Sequence, residues 1–228
     1  MKKLVIFLTL SILGSFLFCQ EMTAKKIAEE AVKKANPTEA ALYVQEQAEK
    51  LSVNAEKRSA FAFLGSLYEA TADYENAQKS YAKAAGIAAS NAEGMVQKSN
   101  EELVLDAVRC ALDAGDWENA QNYLNSAVRN SKSAEVIALV KLYEQWAALT
   151  KAEKKEDLQE PVALLKTYVT LDSMKSVKKS ILFTLWYITG DKEYSEQLKT
   201  EFPSSMETEI INGKVQIYPS PFWYFLPR

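Results

Sequence analysis

Carboxylate side chains cluster at three places in this sequence, and such clusters are the usual components of acid–base pairs and cation sites. They are Glu29-Glu30, Glu101-Glu102 and the group Glu153, Glu156 and Asp157. Adjacent residues of a helix project about 100° apart, so the members of these pairs diverge instead of converging on one atom. We therefore interpret them as solvated helix faces. The sequence predicts no catalytic, cofactor-binding or metal-binding residue.

Histidine and cysteine usage also argues against an enzyme. The chain has no histidine, which is the commonest general base near neutral pH and a frequent zinc ligand. Cys110 lies between Ala107 and Ala111 on a predicted helix, where a small buried side chain is expected rather than a reactive thiol. The sequence contains no glycine-rich phosphate loop and no calcium loop. These features favour a binding protein.

The elements that would position any site are helices, some of them repeated. The chain has 228 residues, 48% of them apolar, with only seven glycines and six prolines, which favours an all-α fold. The segment Asp73-Tyr74-Glu75-Asn76-Ala77-Gln78 returns as Asp116-Trp117-Glu118-Asn119-Ala120-Gln121. Recurrence at the same point of two amphipathic segments indicates a repeated helix–turn–helix unit.

Seven residues around the first copy fit a known pattern of large and small side chains. They are Phe61, Leu64, Gly65, Tyr68, Ala77, Tyr81 and Ala84. With this spacing the chain resembles the tetratricopeptide repeat (TPR) family. Glycine and alanine at such positions let two helices approach closely, while the aromatic side chains fill the space between layers.

The second copy follows after about nine extra residues, 92–100, and matches the family less well. Val108 takes the place of the glycine and Ala111 that of the tyrosine. Ser99 and Glu102 have the spacing of a capping box at the start of its first helix. The packing positions of this unit are Ala107, Ala120, Leu124 and Ala127.

The resemblance implies a right-handed superhelical stack of antiparallel helix pairs, about four to five of them, over residues 23–203. We expect one helix over residues 23–35, a second helix that begins with a cap at Thr38, and a later helix over residues 173–189. Residues 204–228 are expected to form a short helix over 205–211, or alternatively a hairpin at Asn212-Gly213, and then an extended aromatic and proline-rich tail. That tail is interpreted as a cap on the stack, with an interaction tail as the alternative.

The N-terminus has the pattern of an export signal over residues 1–19. Lys2 and Lys3 precede an apolar run from Leu4 to Phe18 that is short for a membrane span. Cleavage near Cys19 would give a free exported protein. Lipidation of Cys19 is the alternative, although Phe18 stands where a lipobox has a small residue.

These expectations define two functional hypotheses. The first is a scaffold of the periplasm or cell envelope that mediates protein–protein interaction, a role implied by the TPR resemblance. The second is a small-ligand binding component that assists solute uptake. Loss of residues 1–19 leaves 25 basic against 30 acidic residues, a formal charge of −5, so nucleic acid is not an expected partner. Membrane contact is expected only through a lipid on Cys19, and the sequence does not determine the oligomeric state.

Overall fold

Residues 22–214 are described by a computed structural model, and over that range the protein is all-helical, without β-strands. The all-α prediction is confirmed. The predicted export signal, Cys19 and the predicted aromatic tail lie outside the described residues. The α-helices within the range are α1 (Ala24–Ala31), α2 (Pro37–Lys50), α3 (Asn54–Ala70), α4 (Tyr74–Ala85), α5 (Asn100–Asp113), α6 (Trp117–Leu124), α7 (Ala134–Lys151), α8 (Gln159–Tyr168), α9 (Lys178–Thr189), α10 (Lys192–Glu201) and α11 (Met206–Ile211). Short 3-10 helices cover Ala127–Asn130, Lys155–Leu158 and Asp172–Val177.

Polar residues that the sequence places before apolar runs start most of these helices. Asp73 accepts a hydrogen bond from the Asn76 N–H at 3.2 Å. The predicted capping box is present: the Glu102 N–H donates to Ser99 Oγ at 3.1 Å, and the Ser99 N–H donates to Glu102 Oε2 at 2.7 Å. Each such bond satisfies a backbone N–H that has no partner within the helix.

Three helix boundaries differ from the sequence-based expectation. The cap of α2 is Asn36, whose Oδ1 accepts from the Glu39 N–H at 2.9 Å, and not Thr38. Pro37 explains this, because proline has no N–H and suits the first helical position. Helix α1 ends at Ala31, short of the predicted residue 35, so Val32 lies beyond the helix and is exposed.

The predicted helix over 173–189 begins instead as a 3-10 helix, Asp172–Val177, followed by α9. Met174 and Val177 are both buried, and a spacing of three residues puts them on one side of a 3-10 helix. Helix α11 starts after Ser205, close to the predicted start, and Asn212 follows its end, so the hairpin alternative is wrong.

Close packing between α3 and α4 depends on Gly65. A Cβ atom at this position would lie 2.7 Å from Cδ1 of Tyr81, a residue that is 2% exposed. Phe61 and Leu64 are buried in the same hydrophobic cluster, which α1–α5 form. Gly65 therefore lets the Tyr81 ring lie directly on the backbone of α3.

Helix α5 joins two hydrophobic clusters because it is apolar on two sides. Leu103, Ala107 and Cys110 pack into the N-terminal cluster with α1–α4. Val108 and Leu112 pack into a second cluster with α6–α9. A small third cluster around Phe183 connects α9 to α10 and α11. Packing is thus continuous along the described chain.

A buried arginine holds the long connection between α4 and α5. Arg58 is only 1% exposed, and its guanidinium donates to the carbonyl oxygens of Ala84 (3.1 Å), Ile87 (3.3 Å) and Lys98 (2.8 Å). It also donates to the side-chain oxygens of Asn91, at 3.1 Å, and Asn100. The connection that contains the nine extra residues is therefore an ordered part of the fold.

Candidate functional site

The two copies of the repeated segment contact each other in the structure. Gln78, the last residue of the first copy, is fully buried, and its Nε2 donates to Asp116 Oδ2, at the start of the second copy, at 3.2 Å. Asp116 also accepts from the Asn119 N–H at 3.0 Å, so one carboxylate caps α6 and links it to α4. Burial opposes the charge on Asp116, but these hydrogen bonds outweigh it and lower its pKa.

The corresponding residues of the second copy lie in a different environment. Gln121, the equivalent of Gln78, is exposed, and its side chain makes no hydrogen bond to another described residue. Trp117, the equivalent of buried Tyr74, is half-buried. Both line an open cleft of about 650 Å³. The cleft therefore lies on the side of α6 where a further closely matching repeat would have packed.

Helices α6, α7 and α8 and the turn between the last two form the walls of this cleft. Besides Trp117 and Gln121, its lining residues are Glu144, Gln145, Ala148, Lys151, Ala152, Glu153, Asp157, Glu160, Pro161 and Leu164. Four carboxylates face one ammonium group, so the lining carries a net negative charge. Of the predicted acidic group, Glu153 and Asp157 line the cleft and Glu156 does not.

An ammonium group already rests on the aromatic wall of the cleft. Lys151 Nζ lies 4.6 Å from the centroid of the Trp117 ring, within the range of a cation–π interaction. Asp157 Oδ2 accepts from the backbone N–H groups of Glu153 and Lys154, at 3.1 and 3.0 Å, and so orders the turn after α7. The carboxylates of Glu144, Glu153 and Glu160 form no ion pair with any residue within 22–214.

Gln145 is the buried polar residue of the cleft. It is 8% exposed, and its side chain makes no hydrogen bond to another residue of the described chain. Its neighbours Tyr143, Trp146 and Ala147 are buried in the second hydrophobic cluster. A glutamine amide carries both donors and an acceptor, so Gln145 offers unused hydrogen-bonding capacity to whatever enters the cleft.

The predicted packing residues do not lie in this cleft. Phe61, Leu64, Gly65, Ala77, Tyr81, Ala84 and Ala107 are buried in or beside the N-terminal cluster, and Ala120 and Leu124 are buried in the second. Tyr68 is half-buried, and its hydroxyl donates to Gln45 Oε1 at 3.0 Å. The side chain of Ala127 lies outside the described part of the structure. Phe61, Leu64 and Tyr68 also line a smaller depression of about 150 Å³.

A second polar network connects α5 to α3 and α4. Arg109 forms a bidentate pair with Glu69, with Nη2 3.0 Å from Oε2, and the Tyr81 hydroxyl donates to the same Oε2 at 3.0 Å. Burial opposes ionisation of Glu69, but the hydrogen bonds and charge of Arg109 dominate, and the pKa of Glu69 is lowered. Burial raises the pKa of the adjacent Cys110 thiol to about 12, so this cysteine is unreactive near neutral pH.

Residues 22–214 offer neither a metal cluster nor a membrane span. Within that range, no group of three or more histidine, cysteine, aspartate or glutamate side chains is arranged to hold a metal ion. Nor is any helix in it both long and apolar enough to cross a bilayer.

Sequence comparisons find two similarities. Residues 150–228 match the family model TP_0752_M, described as a middle domain. The chain is also 28% identical, over 192 residues, to a protein of Treponema pallidum (strain Nichols) described as uncharacterized. That match covers 82% of this chain and 48% of the relative, so the chain spans about half the length of the curated relative it matches. No solved structure matches the chain.

The matched region begins at the cleft. Lys151, Glu153 and Glu160 lie within residues 150–228, whereas Trp117 and Gln145 precede them. The cleft is therefore built jointly by the repeat-containing part of the chain and by the segment that resembles the middle domain. Neither similarity is to a TPR family, so the TPR resemblance stays a prediction.

Proposed function

We propose that this chain is an exported scaffold of the cell envelope that binds a protein partner through a TPR-like stack of antiparallel helix pairs. The contact between Gln78 and Asp116 carries this proposal, because it joins equivalent points of two successive units. The Gly65–Tyr81 contact and the two-sided packing of α5 also support it. A repeat array stacks its units in this way and leaves an extended surface for partners.

Export and a binding role rest on the sequence. The basic and apolar pattern of residues 1–19 supports secretion, with lipidation at Cys19 as the alternative route to the envelope. The absence of histidine supports binding rather than catalysis. Mass spectrometry of the mature N-terminus separates a free protein from a lipid-anchored one.

Crosslinking in cells, followed by capture of the tagged chain from envelope fractions, tests the scaffold. We expect one partner to be enriched with the unaltered protein and with the remote variant Glu46→Lys, but to be lost with the cleft variant Glu144→Lys. Glu46 lies on α2, far along the chain from the cleft, and both substitutions reverse one charge on a helix. Recovery of the protein alone would contradict the scaffold.

The cleft supports a second candidate, a small-ligand binding component that assists solute uptake. Its volume of about 650 Å³ lies within the range of small-molecule sites, roughly 300–1,000 Å³. Its lining is mostly polar and charged, with Trp117, Pro161 and Leu164 as apolar contacts, which favours a polar or charged ligand. Calorimetric titration of the purified protein with defined ligands tests this role independently of any protein partner.

A further inference from the structure

We propose that the cleft between α6, α7 and α8 binds alkylammonium groups, with the positive charge held between Trp117 and the carboxylates of Glu144 and Glu160. The inference rests on ligand binding at this cleft, the second of the two proposed functions, and specifies its chemistry. It does not require the scaffold role, although the crosslinking experiment places the protein partner at the same cleft.

The charges of the lining favour a cation. Glu144, Glu153 and Glu160 line the cleft and have no ion-pair partner among residues 22–214, so their charges are available to a ligand. The last turn of α7 also ends here, and the C-terminal end of a helix attracts positive charge. The N-terminal end of α8 attracts negative charge, but its own first-turn Glu160 supplies that charge.

The aromatic wall identifies the kind of cation. Lys151 Nζ lies over the Trp117 ring at 4.6 Å, which shows that this face accepts a primary ammonium group. Lys151 is an exposed side chain at the end of α7, so it can leave the ring when another ammonium group arrives. Ala148, Pro161 and Leu164 provide apolar surface along which a methylene chain can lie.

Gln145 provides an observation independent of charge. It lines the cleft and is only 8% exposed, and its side chain makes no hydrogen bond to another residue within 22–214. Its amide has no protein partner and faces the open cleft, where an ammonium group can donate to its carbonyl oxygen. A ligand in the cleft would therefore satisfy a polar group that the fold leaves unpaired.

The arrangement of the carboxylates argues for an organic cation over a divalent metal. Metal sites need several oxygen ligands around one point, and the acidic side chains of the described chain form no such group. They are spread over a cleft large enough for a chain several carbons long. Two sources share this chemistry: a free polyamine and the lysine side chains of a peptide.

Titration calorimetry with the full mature chain tests the proposal. The matched probes are hexane-1,6-diamine and hexane-1,6-diol, which have the same carbon chain but differ in charge. We expect the diamine to bind at millimolar concentration or below, more weakly as salt increases, and the diol not to bind. Spermidine and a lysine-containing pentapeptide are titrated in parallel to identify the source.

Substitutions on α7 test whether the diamine binds in the cleft. We expect Glu144→Gln and Gln145→Met each to weaken diamine binding about tenfold, the effect of losing one charged hydrogen bond. Glu135→Gln, also on α7 but outside the cleft, should leave the affinity unchanged. Circular dichroism and urea midpoints verify that each variant is folded.

Absence of diamine binding, equal binding of the diol, or equal weakening by Glu135→Gln would overturn the proposal. These outcomes are distinct from failure of the scaffold, since crosslinking tests partner binding without an added amine. Conversely, diamine binding to a protein that is recovered alone from cells would leave ligand binding as the function of the chain.

Discussion

Gln78 and Asp116 join the two copies of the repeated segment by a hydrogen bond of 3.2 Å between the glutamine Nε2 and the aspartate Oδ2. Gln78 is fully buried, and its Oε1 has no partner among the described residues. The bond therefore connects α4 to the start of α6 and gives the buried Gln78 amide its one hydrogen-bond partner among the described residues. It gives the glutamine of the first copy a structural role that Gln121, in the second copy, does not have.

A double-mutant cycle measures this connection. Asp73 and Asp116 both cap helices, but only Asp116 also bonds to a buried side chain. Loss of a cap costs about 1 kcal/mol, and leaving a buried amide unpaired adds about 1–3 kcal/mol. We therefore expect Asp116→Ala to lower the free energy of unfolding more than Asp73→Ala, as measured by urea denaturation. If the excess persists in a Gln78→Leu background, it does not come from this bond.

Gly65 is a second position at which a single substitution should lower the free energy of unfolding. A leucine there would have to displace the Tyr81 ring, because three of the ring atoms lie 2.7–2.9 Å from the place that a Cβ atom would occupy. We expect Gly65→Leu to lower the free energy of unfolding by about 1–3 kcal/mol, the usual cost of overpacking. Gly86 is the control, because an added Cβ there meets nothing closer than 3.6 Å. Equal thermal midpoints for Gly65→Leu and Gly86→Leu would contradict the close-packing account.

Ala72 and Gly115 occupy equivalent turns with different residues. Both have left-handed backbone conformations, with φ of 58° at Ala72 and 73° at Gly115. The left-handed conformation costs a residue with a Cβ about 1–2 kcal/mol, more than the roughly 0.4–1 kcal/mol that glycine adds in unfolded-state entropy. We expect Ala72→Gly to stabilise and Gly115→Ala to destabilise the protein, each by up to about 1 kcal/mol in urea denaturation. Changes of the same sign would refute the equivalence.

Arg58 should be essential for the order of the connection between α4 and α5. Arg58→Met would remove all five hydrogen bonds of the guanidinium: the carbonyl oxygens of Ala84 and Ile87 would keep only a backbone N–H donor, and that of Lys98 would lose the donor it has in Arg58. We expect the free energy of unfolding to fall by about 3 kcal/mol or more and proteolysis within 87–99 to be faster, since a buried network of five hydrogen bonds would be lost. Lys79→Met removes an exposed cation from α4 and should change stability by less than about 0.5 kcal/mol. If the Arg58→Met variant resists protease as well as the wild type does, the connection between α4 and α5 is ordered without Arg58.

The Glu69–Arg109 pair predicts a loss of stability in acid. The folded-state pKa of Glu69 is lowered, so between the folded and unfolded values the unfolded chain binds more protons and stability rises with pH. The contribution is complete above the unfolded pKa, near 4.5, and disappears as the pH falls through the folded value. We expect urea midpoints of Glu69→Gln to be lower than wild type at pH 7 and to converge with it in acid. Glu75→Gln, which alters an exposed pair, should follow wild type throughout.

Much of the fold could be predicted because its signals are local. The all-α class follows from helix-favouring composition, and the caps at Asp73, Ser99 and Asp116 are each defined by residues three positions apart. Local signals also failed where two competed, as at Pro37, whose missing N–H moved the cap from Thr38 to Asn36. The arrangement of the pairs as a superhelical stack stays a prediction.

The candidate site could not be predicted in this way. In the sequence, Gln145 is one polar residue within a helix, and Trp117 is an aromatic residue at a turn. A partial signal was present, because Trp117 and Gln121 belong to the repeat copy that has no close match after it. Arg58 gave no signal, because its five acceptors lie 26 to 42 residues further along the chain.

The sequence by itself determined the helical class and revealed the repeated segment, because backbone propensity, capping and periodicity act over a few residues. It also indicated that two helices approach closely at Gly65. The tertiary structure alone decided which polar groups are buried and what they face. Helices α6, α7 and α8 bring Trp117, Gln145 and Glu160 to one cleft, and the packing around α7 leaves the Gln145 amide without a partner among the described residues. Burial and hydrogen bonding depend on neighbours that are distant in sequence, so a local pattern cannot specify them.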